Sequence, residues 1–523
     1  MEPINHFGFS YNNINQHLPI RKFSQAARVE EQHQYLSDDH TSWELVQQFD
    51  DQVYPPDMEE YQFVDNFFNI DQYNGNTSGD WLSSPEENQM QPFDPFVDID
   101  FDLDPDTFLM PDETTDVPMM IQTDDQDQDH TMENGVDDGL QLVHLLLACA
   151  EAVGCRDTQL AETLLSKIWY SANLLGDSLQ RVSYCFATGL KSRLSLLQTN
   201  MNANGTIWGG VMLPTDVTRE EKIEAFHLLH QNTPYIEFGF MSANDAIVQA
   251  CRKKDRLHII DLGMEHTLQW PSLIKTLAST SNQEVPSKFI RITGILGDHG
   301  DMTELESSMD TVAAEANSLG IRLEFRLIAG PATAEMLTKE NLHLKEDETL
   351  FVNSILHLHT YVKESRGSLK TILQSIKKLG PTLLTVVEQD ANHNGPFFLG
   401  RFLESLHYYS AIFDSLEACM GRNSMERLKI ERNHFAEEIR NIVAYEGPER
   451  VERHERADQW RRQLGRAGFQ VVVGNKDRQA NVMKGLRCGD GYTVGSDQKG
   501  YALLGWKGRP IMLAAAWQPT SSA

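Results

Sequence analysis

Between residues 139 and 194, apolar residues recur at steps of three and four, the period of an amphipathic helix. The first stretch places Leu142, Leu145 and Leu146 on one helix face. A stretch rich in glycine and asparagine, residues 202–215, predicts a loop. Four further helices are predicted over 158–168, 178–194, Arg219–His230 and Ile236–Arg252. This part of the chain is therefore predicted to be all-helical.

After residue 256 short apolar runs alternate with helical stretches, which predicts right-handed βαβ units and a parallel sheet. The predicted strands are Leu257–Asp261, Phe289–Ile295, Leu323–Ile328, Leu350–Leu356 and Leu383–Val387. The predicted helices between them are Pro271–Ala278, Met302–Ser318, Ala332–Leu337 and Gly367–Leu379. Three more helical stretches follow, at 398–420, 434–442 and Trp460–Ala467.

The end of the chain has a different pattern. Two apolar runs, Tyr501–Lys507 and Pro510–Trp517, flank a turn at Gly508 and Arg509 and predict an antiparallel β-hairpin. Together these elements predict an α/β fold. It is a class I methyltransferase-like, doubly wound sheet with a C-terminal antiparallel hairpin and an N-terminal helical cap.

Charge separates the front of the chain from the rest. Residues 1–140 hold 32 Asp and Glu against 3 Lys and Arg, whereas the remaining residues hold 44 acids and 42 bases. Residues 1–135 are also rich in Gln, Asn, Pro and Ser and have no long helical period. Such a segment buries too little apolar area to offset its ordering entropy. We therefore predict a disordered acidic N-terminal region over 1–135.

Within that region the stretch FVDIDFDLD alternates apolar and acidic residues from Val97 to Asp104. It has no neighbouring strand candidate to pair with, so a β-strand is not favoured. Acids that repel one another keep Phe96, Ile99, Phe101 and Leu103 exposed, a pattern typical of an acidic activation segment that binds a partner. The alternative is a solubilising tail with chance aromatics.

Other sequence features narrow the class of protein. The six cysteines lie far apart and have no zinc-binding spacing. The N-terminus has neither a basic start nor an apolar run, so no signal peptide is expected. The longest apolar stretch, near 140–153, is too short and too polar to span a membrane. A protein that works inside the cell is therefore expected.

An enzyme of this fold class would bind its ligand at the carboxyl ends of the strands. A cofactor-binding turn needs several glycines, but after the first strand only Gly263 is present, followed by Met264, Glu265 and His266. Asp298 and Asp301 follow the second strand in a loop-like stretch. We therefore predict no catalytic residue, no S-adenosylmethionine or nucleotide site, and no other cofactor.

Two polar groups near later strand ends are candidate sites. Acid and base groups occur after the fifth strand, at Glu388 to Asp390 and Asn392 to Asn394, but helix capping and loop hydrogen bonds explain them better. His357 and His359 share a strand face, yet the sequence offers no third metal ligand that can be placed beside them. No metal site is predicted.

Several segments, in their order, resemble the plant GRAS family of transcriptional regulators. The family signature VHIID is matched by Leu257, His258, Ile259, Ile260 and Asp261, with leucine in place of the leading valine. Gln269, Trp270 and Pro271 follow at the family's spacing. Residues 387–395, 401–409 and 441–455 resemble the regions that precede the C-terminal SAW region. That region ends here in Ala-Ala-Trp517, without its serine.

The resemblance implies a GRAS domain over 138–518. Its regions would be leucine repeat I at 140–200, VHIID at 220–287, leucine repeat II at 303–338, PFYRE at 349–442 and SAW at 444–518. It also implies a nuclear protein without catalysis that associates with other GRAS proteins and transcription factors through the leucine-rich helices, as a homo- or heterodimer. The DELLA and TVHYNP motifs are absent, and the sequence is nearest to branches linked to arbuscular mycorrhizal symbiosis.

Two ways of reaching promoters remain open. Leu142, Leu145 and Leu146 form an LxxLL pattern that suits a helix-in-groove contact, although such leucines also pack internally. Arg252, Lys253 and Lys254 are a short basic cluster and candidate DNA contacts. Basic residues between 450 and 466 are interleaved with acids, which favours ion pairing over a phosphate grip. The first hypothesis is a co-regulator acting by protein association, the second a sequence-specific DNA-binding factor, the third a methyltransferase.

Overall fold

The fold is taken from a computed structural model of the chain. It describes residues 128–202, 217–251, 254–279, 288–297, 302–365, 367–473, 486, 489–497 and 499–520. The activation segment, Arg252, Lys253, Asp298 and Asp301 therefore lie outside the described residues. From Asp137 onward the described residues belong to one compact unit.

Five helices come first, as the apolar spacing predicts. They are α1 (Gln128–Gly154), α2 (Thr158–Ser171), α3 (Ser178–Asn202), α4 (Arg219–Asn232) and α5 (Pro234–Ala250). Local sequence fixes several starts. Asp157 accepts a hydrogen bond from the backbone N–H of Leu160, and Thr218 forms a capping box with Glu221. The helix α3 packs on two helices from later in the chain, so the cap is part of the body.

The central sheet contains five parallel strands: β1 (Arg256–Leu262), β2 (Phe289–Ile295), β3 (Arg322–Ile328), β4 (Thr349–Ile355) and β5 (Leu383–Gln389). Their spatial order is β3-β2-β1-β4-β5. Strands are added to one side of β1 as far as β3 and then to the other side, so the strand order reverses between β1 and β4. The strand β9 (Arg509–Pro519) then pairs antiparallel with β5. This arrangement confirms the predicted methyltransferase-like doubly wound fold.

The antiparallel end is larger than the sequence analysis predicted. The hairpin of β8 (Ala502–Trp506) and β9 is present, with its turn at Lys507 and Gly508, one residue before the predicted position. Both turn residues have positive φ, as a tight two-residue hairpin requires. Two strands were missed because they are short or poor in apolar alternation: β6 (Phe469–Val471) and β7 (Tyr492–Ser496).

The remaining helices cover both faces of the sheet. They are α6 (Gln269–Ser279), α7 (Met302–Ser318), α8 (Gly367–Leu379), α9 (Phe398–Cys419), α10 (Met425–Ile430), α11 (Ala436–Ala444) and α12 (Ala457–Ala467). A five-residue π-helical turn joins α10 to α11. Neighbouring strand residues serve opposite cores: Ile259 packs with α5, α6 and α7, and Ile260 packs with α8 and α12. Both faces of β1 are therefore buried, as in other parallel sheets.

One predicted helix is absent. Residues 332–337 form turns, although their apolar residues suggested a helix. The hydroxyl of Thr333 accepts a hydrogen bond from the backbone N–H of Met336, and Thr338 does the same for Asn341. Such side-chain acceptors stabilise turns in competition with the helix. Within the described ranges, no helix is long and apolar enough to cross a membrane.

Candidate functional site

The turn after β1 is where a methyltransferase of this fold would hold its cofactor. Gly263 has φ +73°, and a Cβ there would lie 2.1 Å from the ring of His357. A Cβ on Gly294 of β2 would lie 2.3 Å from the sulfur of Met264. The side chains of Met264 and His357 thus lie directly against the glycines at this edge, where a cofactor would need free backbone. Neighbouring side chains therefore crowd both glycines, and the expectation that the turn does not suit a cofactor stays a prediction.

Below this turn a buried polar network joins β1, β4, β5 and α6. The side-chain amide of Asn353 donates to Asp261 and to Gln269, each at 2.9 Å, and its oxygen accepts from Thr385 at 2.7 Å. The amide of Gln269 also donates to Asn244 of α5 at 3.0 Å. Burial raises the pKa of Asp261 to about 7, and the Asn353 hydrogen bond opposes that rise. The family residues Asp261 and Gln269 therefore hold strands and helices together.

His258 is the second polar residue of the signature, and it is 1% exposed. Its Nε2 lies 2.8 Å from the hydroxyl of Thr293 on β2. Burial, and then Arg291 and Lys345, lower the pKa of His258 to about 4. The carboxylate of Glu348 lies 3.6 Å from His258, but Arg291 binds the same carboxylate at 2.9 Å. Glu348 therefore does not stabilise a protonated His258. His258 is neutral in the folded protein at neutral pH.

This burial predicts a pH effect on stability. The pKa of His258 is lower in the folded state, about 4, than in the unfolded state, about 6.5, so protons favour unfolding. The free energy of unfolding that neutral His258 contributes is fully present above pH 6.5 and is lost as the pH falls toward 4. Between pH 8 and pH 5 it amounts to about 2 kcal/mol. His258→Gln retains a polar group near Thr293 but cannot take up this proton. Between pH 8 and pH 5 its free energy of unfolding, measured with urea, should therefore fall by about 2 kcal/mol less than that of the wild type. Equal pH slopes in the two proteins would contradict the assignment.

The apolar residues of the signature are core residues. Leu257, Ile259 and Ile260 are fully buried, as is Trp270, while Pro271 is half-buried beside it. Trp517 is also buried and packs edge-on against Tyr501, with ring centroids 5.9 Å apart. Ala515 and Ala516, which precede it, pair with Val386 and Thr385 of β5. These positions stabilise the sheet and leave little surface for a ligand.

A second polar cluster lies at the carboxyl ends of β4 and β5. The Nδ1 of His359 lies 2.7 Å from Glu388, and its Nε2 lies 3.1 Å from Glu452. The Nε2 of His454 lies 3.3 Å from the same Glu452 oxygen. The Nδ1 of His454 lies 2.9 Å from the Nδ1 of His393. Four segments of the chain therefore meet in one buried group of three imidazoles and two carboxylates, called the histidine–glutamate cluster below.

Electrostatics in this cluster follow from its burial and its carboxylates. Burial alone would lower the pKa of His359, but Glu388 and Glu452 outweigh it and raise the pKa well above its usual value. Burial would raise the pKa of Glu452, but His359 and His454 hold it well below its usual range. Burial lowers the pKa of His393 well below its usual value, and the neighbouring His454 lowers it further.

The sequence singled out His359 as a candidate ligand but gave no clear sign of the residues that contact it. Glu452 and His454 lie more than ninety residues further along the chain, in an extended segment before α12. Their alternation, with one residue between them, was a weak signal that both side chains share one side of that segment. His357, the other strand-end histidine, faces Gly263 instead and lies 3.3 Å from the hydroxyl of Tyr361.

The basic residues before α12 have internal roles. The side chains of Arg450 and Arg453 are 2% exposed and donate to the backbone oxygens of His393 and Gly447, respectively. Arg456 contacts Glu404 at 2.7 Å. This agrees with the expectation that the stretch is ion-paired and is not a phosphate grip. Of the candidate DNA contacts, only Lys254 is among the described residues, and it is exposed.

The leucine-rich helices bury part of their predicted interface. Leu142 and Leu146 are 2% and 0% exposed, and Leu145 is half-buried, so these leucines belong mainly to the core of the body. Large exposed apolar side chains occur nearby on α2 and the loop after it. They are Leu160, Tyr170 and Leu175, which are 43%, 94% and 64% exposed.

The family follows from comparison with known proteins. A model of the GRAS domain family matches residues 142–518. The chain belongs to this family, whose members are plant regulators of transcription. The crystal structure of SCL7 from Oryza sativa has a TM-score of 0.62 and 26% identity, over 72% of this chain and 99% of that one.

Individual relatives place the chain within the family. It is 46% identical to the GRAS family protein RAD1 of Lotus japonicus over 392 residues, which cover 74% of this chain and 75% of that one. It is 45% identical to RAD1 of Medicago truncatula over 73% of each chain. The DELLA protein GAI1 of Vitis vinifera is 37% identical, over 73% of this chain and 62% of that one. The chain is thus a GRAS protein of a branch other than DELLA.

Proposed function

We propose that this GRAS protein is a nuclear co-regulator of transcription that works by protein association. Its GRAS body docks onto other GRAS proteins or DNA-binding factors, as a homo- or heterodimer, and its acidic front recruits the transcription machinery. The observation that carries the proposal is the strong exposure of three large apolar side chains on α2 and the loop after it, Leu160, Tyr170 and Leu175. If a partner covers them together, they would form the kind of apolar contact that marks protein interfaces.

The crowded turn after β1 supports a binding role for the protein over a catalytic one. Met264 and His357 lie against the two glycines that a methyltransferase would use to approach its ligand. The polar groups beneath, Asp261, Gln269 and Asn353, are hydrogen-bonded to one another. A buried side chain whose donors and acceptors are already hydrogen-bonded within the fold has few left to bind a substrate. Among the described residues of this edge, these contacts favour a structural role over methyl transfer.

Similarity to the two RAD1 proteins supports a narrower proposal about the branch. We place this chain in the branch of GRAS regulators that act in arbuscular mycorrhizal symbiosis. The absence of the DELLA and TVHYNP motifs from the sequence agrees with this placement. The 37% identity to a DELLA relative is lower than the 46% identity to RAD1.

Direct DNA reading is the second candidate, and a selection experiment separates the two. The full-length chain is incubated with a pool of random duplexes at several salt concentrations, and bound sequences are recovered. We expect no enriched motif, because Arg450 and Arg453 are buried and bound to backbone oxygens. A DNA-binding factor would enrich one motif, and its affinity would fall steeply with salt as counterions are released.

The control in this selection is a charge variant. If a motif is enriched, Lys254→Gln tests whether the basic cluster that contains it touches phosphate. A phosphate contact would lower affinity for all sequences alike and make the salt slope shallower by about one. Motif enrichment would overturn the co-regulator proposal. Its absence, with the chain bound to promoters only when a partner is added, would support it.

A further inference from the structure

We propose that the histidine–glutamate cluster is a metal site, in which His359, His454 and Glu452 bind one divalent ion of the zinc type. These three residues offer ligand atoms that all lie within 4.8 Å of one another. Imidazole nitrogen and carboxylate oxygen are ligands that Zn²⁺ accepts. Such an ion would join the turn after β4 to the extended segment before α12.

The distances suit a tetrahedral ion. Zinc–nitrogen and zinc–oxygen bonds of about 2.0–2.1 Å place neighbouring ligand atoms about 3.3 Å apart in a tetrahedron. The Glu452 oxygen lies 3.1 Å from the Nε2 of His359 and 3.3 Å from the Nε2 of His454. These two separations match a tetrahedral ion, and the separation of the two histidine nitrogens is within 4.8 Å. The three side chains leave the fourth position to water or a ligand.

The outer contacts are those of a metal-bound histidine. Metal-ligating histidines usually donate their other N–H to a carboxylate or a carbonyl. The carboxylate of Glu388, which is fully buried, contacts His359 twice: one oxygen lies 2.7 Å from Nδ1, and the other accepts from the backbone N–H at 3.1 Å. This contact holds a proton on Nδ1, so that Nε2, which faces Glu452, is the nitrogen that would bind the ion.

His454 provides an independent observation. It is fully buried, and among the described residues its Nε2 has no hydrogen-bond partner, although Glu452 lies 3.3 Å away. The Nδ1 of His454 lies 2.9 Å from the Nδ1 of His393, so one of these nitrogens donates to the other. If His454 donates, its Nε2 is a free ligand atom. A buried imidazole nitrogen without a hydrogen bond is costly in a fold, and a metal bond would satisfy it.

Charge balance also favours a divalent ion. Glu388 and Glu452 contribute two negative charges, and neutral His359 and His454 contribute none. Arg456 and Arg509, on the His393 side, are both paired with Glu404. Metal binding should release protons, because the ligands must be deprotonated.

The test uses the full-length chain, stripped of metal with a chelator. Calorimetric titration with ZnCl₂ at pH 7, in two buffers of different ionisation enthalpy, gives the stoichiometry, the affinity and the number of protons released. We expect one ion per chain with proton release, and a rise in the thermal midpoint. Co²⁺ in the same site should give the visible bands of a four-coordinate ion without the thiolate charge-transfer band, which separates this site from the free cysteines.

Matched variants locate the ion. Glu452→Gln keeps the size of the side chain but removes the anionic ligand, and should weaken binding at least about tenfold. His454→Ala should abolish it. The control is His230→Gln, because His230 also contacts a glutamate, Glu237, at 2.7 Å but has no second histidine in that contact. Its affinity should be unchanged.

The wild-type titration decides the proposal even if a variant fails to fold. A folded wild-type chain that takes up no Zn²⁺ or Co²⁺ would overturn it. Binding that Glu452→Gln and His454→Ala leave unchanged would also overturn it, because the ion would lie elsewhere. None of these outcomes depends on the transcriptional role of the protein.

Discussion

Replacing Arg181 by methionine is expected to lower the free energy of unfolding by about 3–5 kcal/mol, because it leaves a buried carboxylate without its main partner. The Arg181 side chain, on α3, is fully buried. Its Nε donates to both oxygens of Glu431, at 3.1 and 3.0 Å, and its NH1 donates to Glu417 at 2.9 Å. These bonds tie the helical cap to the π-helical turn before α11.

The loss should depend on pH in a defined direction. Burial raises the pKa of Glu431 to about 7, while Arg181 opposes that rise. Without Arg181 the folded-state pKa rises further, and the unfolded value stays near 4.5. A raised carboxyl pKa makes stability fall as the pH rises toward that pKa. The gap between Arg181→Met and the wild type should therefore widen from pH 6 to pH 8.

Urea unfolding at the two pH values measures this effect, with two controls. Arg181→Met combined with Glu431→Met should recover part of the loss, because the buried carboxylate is removed together with its main partner. The recovery should be incomplete, because buried Arg427, which lies 3.6 Å from Glu431, then loses its ion pair. Lys275→Met should cost less than about 1 kcal/mol, since its ion pair with Glu315 is largely exposed. A loss for Arg181→Met as small as that for Lys275→Met would mean that the cap is not held by this pair.

The pattern of apolar residues was sufficient to predict most of the sheet. All five parallel strands lie within one or two residues of their predicted bounds. Four of them are buried on both faces and are mostly apolar, whereas β3 lies at the edge of the sheet and alternates apolar with charged residues. The exceptions have local causes. The turns at 332–337 depend on threonine hydroxyls that accept backbone hydrogen bonds. The strand β6 is only three residues long, which no period can reveal.

The sites were harder to predict because they depend on contacts between distant segments. The single glycine of the β1 turn could be read from the sequence, but the closeness of Gly263 to the ring of His357 could not. The position of Glu452 beside His359 follows from how the chain folds back after α11, which local sequence does not encode. Similarly, Arg181 and Glu431 are 250 residues apart. Long-range pairs of this kind need the fold before they can be seen.

The second large effect is expected in the acidic front. Replacing Phe96, Ile99, Phe101 and Leu103 together by alanine should remove most of the activation that the full chain gives when it is fused to a heterologous DNA-binding domain. Apolar anchors of a binding segment typically contribute about 1 kcal/mol or more each, so losing four weakens a partner contact by at least about 100-fold. Reporter output, normalised to protein level, measures the effect.

Two further variants of the fusion separate the physical causes. Replacing Phe63, Val64, Phe67 and Phe68 by alanine removes as many apolar side chains from the same acidic front and should leave activation largely intact. Replacing Asp98, Asp100 and Asp102 by asparagine keeps the apolar anchors and removes the charges between them, so a partial loss is expected, because charge mainly speeds encounter and the apolar groups hold the complex. If both alanine sets reduced output equally, the front would act through its overall composition, and the stretch from Phe96 to Asp104 would have no special role.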